Sequence, residues 1–273
     1  MLREMQLMNY SEHTIDAYLR SISKLSKFFN LPPDQLSKSQ IKEYLHYCKE
    51  EKNCSVPYIN QTIGALKVLY EKVLEWDWAG MNISRPRKEV KLPVILTQEE
   101  IGKLLKVTTN LKHKSIFSLA YSTGMRLNEI RLMKPSDIDA GRLKVKVSNG
   151  KGRRQRYTTI SNKVIVLLRS YYKKYRPVKY LFEGSRPGRP LVPNTMRYAF
   201  NKNIKKAGIK KDVTFHSLRH SFATHLLEQG INLKLIQRLL GHCSLKSTMV
   251  YLHVANTDID KVINPIDTIK VES

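Results

Sequence analysis

The sequence predicts a mainly α chain in two parts: an N-terminal helical bundle over residues 1–82, and an α+β domain over 97–255, mostly helical with a small antiparallel sheet. Three observations point there. Capped amphipathic stretches fill the first 80 or so residues. A proline-bearing basic stretch then breaks the periodicity, and one later segment alternates about an Asn-Gly-Lys-Gly turn.

Ser11 is placed to cap a helix whose Ile15, Leu19, Ile22 and Phe29 share one face. "SKSQ", Ser37 to Gln40, is a capping-box pattern ahead of Ile41, Leu45 and Cys48; the serine oxygen accepts from the third backbone N–H while the glutamine reaches back. Ser55, with Pro57 in the first turn, opens a third helix carrying Ile59, Ile63, Leu66, Tyr70 and Val73. "ISRPRKEVKLP" has two prolines, a basic run and no apolar period, so residues 83–96 read as an extended, positively charged linker. "TQEE", with Thr97 and Glu100, is a second capping box and starts the next domain. "RLKVKVSNGKGRRQRYTTI" alternates on both sides of its turn, a hairpin signature. "HSLRHSFATHLLEQG" reads as a helix with Leu218, Phe222, Leu226 and Leu227 inward and Gly230 as its stop. "INLKLIQRLLG" follows, with Leu235 and Leu239 inward and Gly241 as its stop. The tail, 256–273, offers Asn256 as a cap, Asp258 and Asp260 in a first turn, and Ile259, Val262 and Ile263 on one face before Pro265.

Lys and Arg number 48 against 23 acids, a formal net charge of +25 on 273 residues. A surplus that large repels itself unless a polyanion receives it, and nucleic acid is the leading partner. Hydrophobic residues make up 41% of the chain, an ordinary share for a globular protein, yet no run approaches the about 18 apolar residues of a membrane span. The opening "MLREMQLMNYSE" lacks the apolar core of a signal peptide. Cys48, Cys54 and Cys243 are odd in number and lack zinc spacing, as thiols of a reducing cytosol would be. A cytoplasmic protein is expected, with no membrane partner.

Four short stretches could carry chemistry, and each has a bland alternative. His216 stands at a helix start with Arg219 three residues on, facing the same way; a helix N-terminus and a guanidinium fork both suit a phosphate, but surface residues of a basic protein would look alike. "STGMRLNEI" puts Arg126 after Gly124 with Glu129 three residues later, either a surface ion pair or an arginine held for a phosphate by the acid behind it. Lys151, between Gly150 and Gly152, is either a solvated turn lysine or one carried close to a duplex. His242 follows a helix stop, where a histidine often caps carbonyls, and Tyr251 would ordinarily be half-buried core. His220 and His225 read as structural or supporting residues. His216 and His220 imitate half a zinc site, but no Glu lies between them, so neither a metal nor a cofactor is expected.

Taken in order, "TGMRLNE", "GKG", "HSLRHSFATHLL", "LLGH" and the Tyr-Leu-His-Val segment resemble the successive motifs of the tyrosine recombinases, the phage integrase family, and its short Xer-like members most. The resemblance covers nearly the whole chain, including a helical core-binding domain at 1–82 ahead of a catalytic domain at 97–255. Cys243 stands where serine is common after the histidine, and Leu252 where threonine often follows the tyrosine; neither removes a group the chemistry needs.

That resemblance implies a site-specific DNA recombinase working through a 3′-phosphotyrosyl intermediate, in integration, excision or resolution. Tyr251 would be the nucleophile, Arg126, Arg219 and His242 the stabilisers of the non-bridging oxygens, His216 the base, and Lys151 the general acid on the 5′ oxygen. Glu129 and His220 would support them. A phosphodiester transition state gathers negative charge, which preorganised cations and donors stabilise; a tyrosine with a reference pKa of about 10 needs help losing its proton. The partners implied are double-stranded DNA with inverted-repeat half-sites, four protomers on two duplexes, and a partner recombinase or accessory protein. The resemblance has the tail 256–273 exchanged between protomers; packing on its own domain is the bland alternative. A non-catalytic DNA-binding protein on the same fold, or a type IB topoisomerase-like enzyme without partner exchange, are the competing readings.

Overall fold

The computed structural model describes residues 1–87, 92–148 and 155–255. It divides into two compact units, Met1–Val90 and Lys91–Ser273. Among the described residues no helix is long and apolar enough to cross a membrane.

In the first unit, α1 (Leu2–Leu7), α2 (Glu12–Phe29), α3 (Lys38–Glu50) and α4 (Val56–Lys67) follow one another, and α4 runs on into a π-helical stretch, Val68–Val73. Two of the three expected starts are capped by side chains: Ser11 Oγ accepts from the Thr14 N–H at 3.2 Å, and at Ser37 both arms of the box close, at 2.9 and 3.3 Å; Ser55 stands at the N-cap of α4 without a side-chain hydrogen bond. Ile22, Leu25, Ile41, Tyr44, Leu66 and Tyr70 meet in the core. The buried Tyr70 keeps its hydroxyl satisfied by donating to Pro33 O at 2.6 Å. The short α1 is an addition to the three helices expected.

The second unit opens with α5 (Gln98–Val107), boxed by Thr97 and Glu100 at 2.8 and 3.2 Å, then α6 (Leu111–Thr123) and α7 (Leu127–Arg131). Strands β1 (Ile138–Asp139), β2 (Lys144–Val147) and β3 (Arg156–Thr159) form one antiparallel sheet in that order, with Val147 opposite Arg156. The Asn-Gly-Lys-Gly turn, with Lys151, lies outside the described residues. Helices α8 (Asn162–Tyr175), α9 (Pro193–Lys206), α10 (Ser217–Glu228), α11 (Leu233–Leu240) and α12 (Lys246–Met249) complete it, and α12 continues as a 3-10 turn, Val250–His253. Helix α6 is buried around most of its circumference, with Ser115, Ser118 and Thr123 as well as Ile116, Phe117, Leu119 and Ala120 inside, so it sits in the middle of the core.

The inward face of α11 differs from the sequence expectation. Leu235 is 45% exposed, whereas Ile236 and Leu240 are fully buried. "LKLIQRLL" carries two adjacent stripes with the same four-residue spacing, and the partner decides between them. The Ile236–Leu240 stripe faces Phe222 and Ala223 of α10 and the ring of Tyr251.

Two glycines bring the site elements together. Gly124 ends α6 at φ +60°, and a Cβ there would fall on the Phe222 ring. Gly241 ends α11 at φ +64°, and a Cβ there would stand 2.6 Å from Arg156 Cδ.

Candidate active site

Arg219, one turn into α10, is 1% exposed and is among the largest fully buried side chains of the unit. Its two terminal nitrogens donate at 2.7 Å each to Gly124 O and Leu240 O, the carbonyls at the ends of α6 and α11. Helix C-termini leave such carbonyls unsatisfied and carry partial negative charge, so they suit a guanidinium. The Arg219 Nε is buried with no hydrogen-bond partner. Burial, and then the Arg126 charge, pull the Arg219 pKa down to about 9, which leaves it protonated at neutral pH.

Arg126 lies two residues past Gly124 and sends Nη2 to Gly241 O at 3.5 Å. Behind it stands Glu129, whose side chain is 2% exposed. That carboxylate accepts from the Arg126 backbone N–H at 2.7 Å, from Arg126 Nη1 at 2.9 Å, and from both Arg156 terminal nitrogens at 2.9 and 2.8 Å. Burial alone would raise its pKa, but the Arg156 hydrogen bond and charge, with Arg126, hold it below the usual carboxylate value. Arg156 Nε donates to Leu239 O at 2.9 Å, which ties β3 to the end of α11.

Tyr251 is 1% exposed. Its hydroxyl lies 3.1 Å from Nδ1 of His220, and its ring stacks with that of His242, 14° from parallel at 6.4 Å. Burial raises the phenol pKa, while Arg219 and Arg126 pull it the other way. His220 meets His216 edge to face at 4.7 Å. Burial first, then neighbouring positive charge, lowers His216 to about 4 and His242 to about 3; burial, then His216 and Arg219, lowers His220 to about 4. His216 keeps an exposed edge despite this crowding. All three imidazoles are therefore neutral at physiological pH, and His220 can accept the Tyr251 proton in a hydrogen bond.

The structure thus gathers Arg126, Glu129, His216, Arg219, His220, His242 and Tyr251 around the adjoining ends of α6 and α11. The imidazole in reach of the tyrosine hydroxyl is that of His220. Two residues escaped the sequence reading. Arg156 looks like one more cation in "RRQR", and Thr248 like any helical threonine, though it lies fully buried with Oγ1 2.9 Å from His242 Nδ1. Two guanidiniums are neutralised in part by the one carboxylate of Glu129, and Arg219 adds a third positive charge beside them, a local surplus that suits an anion.

Comparison with known proteins identifies the family. Residues 95–258 match the phage integrase family profile, and residues 1–80 match its N-terminal SAM-like domain. The chain belongs to the phage integrase family. The y4qK protein of Sinorhizobium fredii is 37% identical over 268 residues, spanning 98% of this chain and 87% of that one. Tyrosine recombinase XerA of Pyrococcus horikoshii is 33% identical across 95% of this chain and 89% of its own. Tyrosine recombinase XerC of Bacillus licheniformis is 30% identical, covering 93% and 90%. The crystal structure of a XerA recombinase superposes with a TM-score of 0.57 at 28% identity, over 94% of this chain and 92% of that chain. XerH, bound to palindromic difH substrate in a post-cleavage complex, shares the fold with a TM-score of 0.73 at 23% identity, over 91% and 78%. As a phage integrase family member with these relatives, the chain is a tyrosine site-specific recombinase, an enzyme of DNA strand cleavage and rejoining.

Proposed function

We propose that Tyr251 attacks a DNA phosphodiester held by Arg126, Arg219 and His242, giving a 3′-phosphotyrosyl link and a free 5′-hydroxyl. The observation that carries this reading is the buried Arg219, with an Nε that lacks a hydrogen-bond partner, close enough to the buried Tyr251 for its charge to lower the phenol pKa. An unpaired N–H on a buried cation is costly, and a non-bridging phosphate oxygen would satisfy it. Because its other two nitrogens are already fixed on carbonyls, the guanidinium needs no rearrangement when charge develops, which is where electrostatic catalysis gains most.

The tyrosine proton passes into the His216–His220 pair: His220 holds the hydroxyl at rest and His216 is the base behind it. The 3.1 Å hydrogen bond supports His220 as the first acceptor of that proton, and His216 stands next to it, ring edge to ring face. Lys151 protonates the departing 5′ oxygen. The tyrosyl phosphodiester conserves the bond energy, so a 5′-hydroxyl of another duplex attacks the phosphorus, expels Tyr251 and reseals the strand. The partner is double-stranded DNA with inverted-repeat half-sites, bound by a core-binding domain at 1–82 and a catalytic domain at 97–255. Four protomers assemble on two duplexes, exchanging the tail 256–273, with a partner recombinase or accessory protein admitted. The +25 charge supports a large, steeply salt-dependent phosphate footprint.

The test is a nicked suicide duplex carrying the sequence this protein retains from a random pool. The wild-type chain should leave a covalent adduct on a denaturing gel; Tyr251→Phe should keep binding and lose the adduct. A persistent adduct would overturn the assignment and direct attention to Tyr157 or Tyr121.

A further inference from the structure

We infer that Thr248 is a positioning residue for strand cleavage: its hydroxyl fixes His242 in the tautomer that carries its proton on Nε2, so that this nitrogen donates to the phosphate. The inference rests on the proposed role of His242 and deepens it.

A histidine that serves an oxyanion must present an N–H, and a neutral imidazole has one proton for two nitrogens. His242 is neutral, its pKa held at about 3 by burial and by the Arg219 and Arg126 charges. Simple charge attraction therefore gives no assurance of a donor at the phosphate. The tautomer decides, and it is set by what the other nitrogen meets.

Nδ1 meets Thr248 Oγ1 at 2.9 Å. Thr248 is 0% exposed, so its hydroxyl proton has no bulk water to go to. Among the described residues its side-chain hydrogen-bond partner is His242 Nδ1. If Nδ1 carried the proton and donated to Oγ1, the buried hydroxyl proton would be left without an acceptor. If the hydroxyl donates to a bare Nδ1, every proton is placed and Nε2 carries the N–H. Full satisfaction of buried polar groups selects the second arrangement.

The backbone leaves the ring little else to do. Gln237 brackets His242, accepting from its N–H at 3.2 Å and donating from Nε2 to its carbonyl at 3.1 Å. The Tyr251 ring lies nearly parallel to the imidazole, with 6.4 Å between centroids. With the main chain held, the threonine hydroxyl sets both the rotation of the ring and the position of its proton. It sits between histidine and tyrosine in the sequence, so the turn that presents the nucleophile also prepares the phosphate donor.

The full-length protein with 15N-labelled histidine reads the tautomer directly in long-range proton–nitrogen correlation spectra, His242 being assigned by the loss of its signals in His242→Gln. The wild type should show a protonated Nε2 and a bare Nδ1, a result that does not depend on any Thr248 variant folding. Thr248→Val, which keeps the shape and deletes the hydroxyl, should shift that pattern. On the suicide duplex it should slow cleavage by roughly tenfold to a hundredfold, the equivalent of one lost hydrogen bond, with DNA retention unchanged. Thr248→Ser should restore both. A proton on Nδ1 in the wild type, or a Thr248→Val protein with unchanged spectrum and cleavage, would overturn the inference. Undiminished cleavage by His242→Gln would instead overturn the assignment of His242 itself.

Discussion

Replacing Arg156 by methionine keeps much of the side-chain volume and removes the charge from a buried carboxylate. Glu129 would lose two of its four hydrogen bonds, both charge-assisted, and β3 would lose its bond to Leu239 O. What remains is Arg126, whose side chain is 27% exposed against 10% for Arg156. Charged hydrogen bonds contribute about 1.5–3 kcal/mol each and do not add fully, while removing one partner of a buried pair costs about 3–5 kcal/mol. We expect a loss near the lower end of that range at pH 7, on the order of 10 °C in the melting temperature of a unit this size. Its pH dependence identifies the cause. In the wild type the Glu129 pKa is depressed, so its contribution is present above the ordinary carboxylate pKa and lost as pH falls through the lower, folded value. In Arg156→Met burial acts with less opposition, and Glu129 neutralises at higher pH. The stability gap between the two proteins should therefore narrow steadily from pH 7 toward pH 3. Denaturant unfolding across that range measures it, and a gap of the same size at both ends would refute the role of the Arg156–Glu129 pair.

Three further outcomes are expected. Lys151→Ala should cripple cleavage of ordinary DNA but not of a duplex with a 5′-bridging sulfur, because a thiolate leaves without a proton; equal defects on both substrates would reduce Lys151 to a phosphate contact. Neutral His220 and His242, with pKa values of about 4 and 3, should make stability rise with pH between about 3 and the unfolded value of about 6.5, at up to roughly 1.4 kcal/mol per pH unit for each; a flat acid limb in unfolding experiments would contradict their buried neutral state. Truncation after Val254 should leave a protein that binds one half-site but loses cooperative pairing and strand exchange, and wild-type recombination by it would remove the tail from the mechanism.

What could be read from the sequence is what local chemistry dictates. The boxes at Ser37 and Thr97 need only residues three apart, and both form. The alternating segment around residue 150 supplies the paired strands β2 and β3. The phase of α11 was not legible, because two stripes fit its period and only packing against Phe222 and Tyr251 chooses Ile236 and Leu240. Arg156 was hidden for a different reason: its partners Glu129 and Leu239 lie 27 and 83 residues away, and nothing in "RRQR" separates a buried arginine from a solvated one. The order of the motifs pointed to Arg126, His216, Arg219, His242 and Tyr251. It did not distinguish which of two neighbouring histidines touches the tyrosine, since that depends on the rotation of α10 against the turn after α12.

The hold of Arg219 on Gly124 O and Leu240 O has a practical consequence for anyone wishing to trap this recombinase on DNA in an inert form. A side chain that staples two helix ends cannot be deleted without loosening the pocket it belongs to, and lysine, a single point charge, cannot span both carbonyls. Proteins disabled at position 219 would be poor stand-ins for the native assembly, with altered geometry mistaken for altered chemistry. Tyr251 reaches His220 through its phenolic oxygen, but its ring is held by packing against Ile236 and Leu240, which remains when that atom is gone. If Tyr251 is the nucleophile proposed above, the faithful decoy is the protein that has lost its phenolic oxygen and kept its arginine.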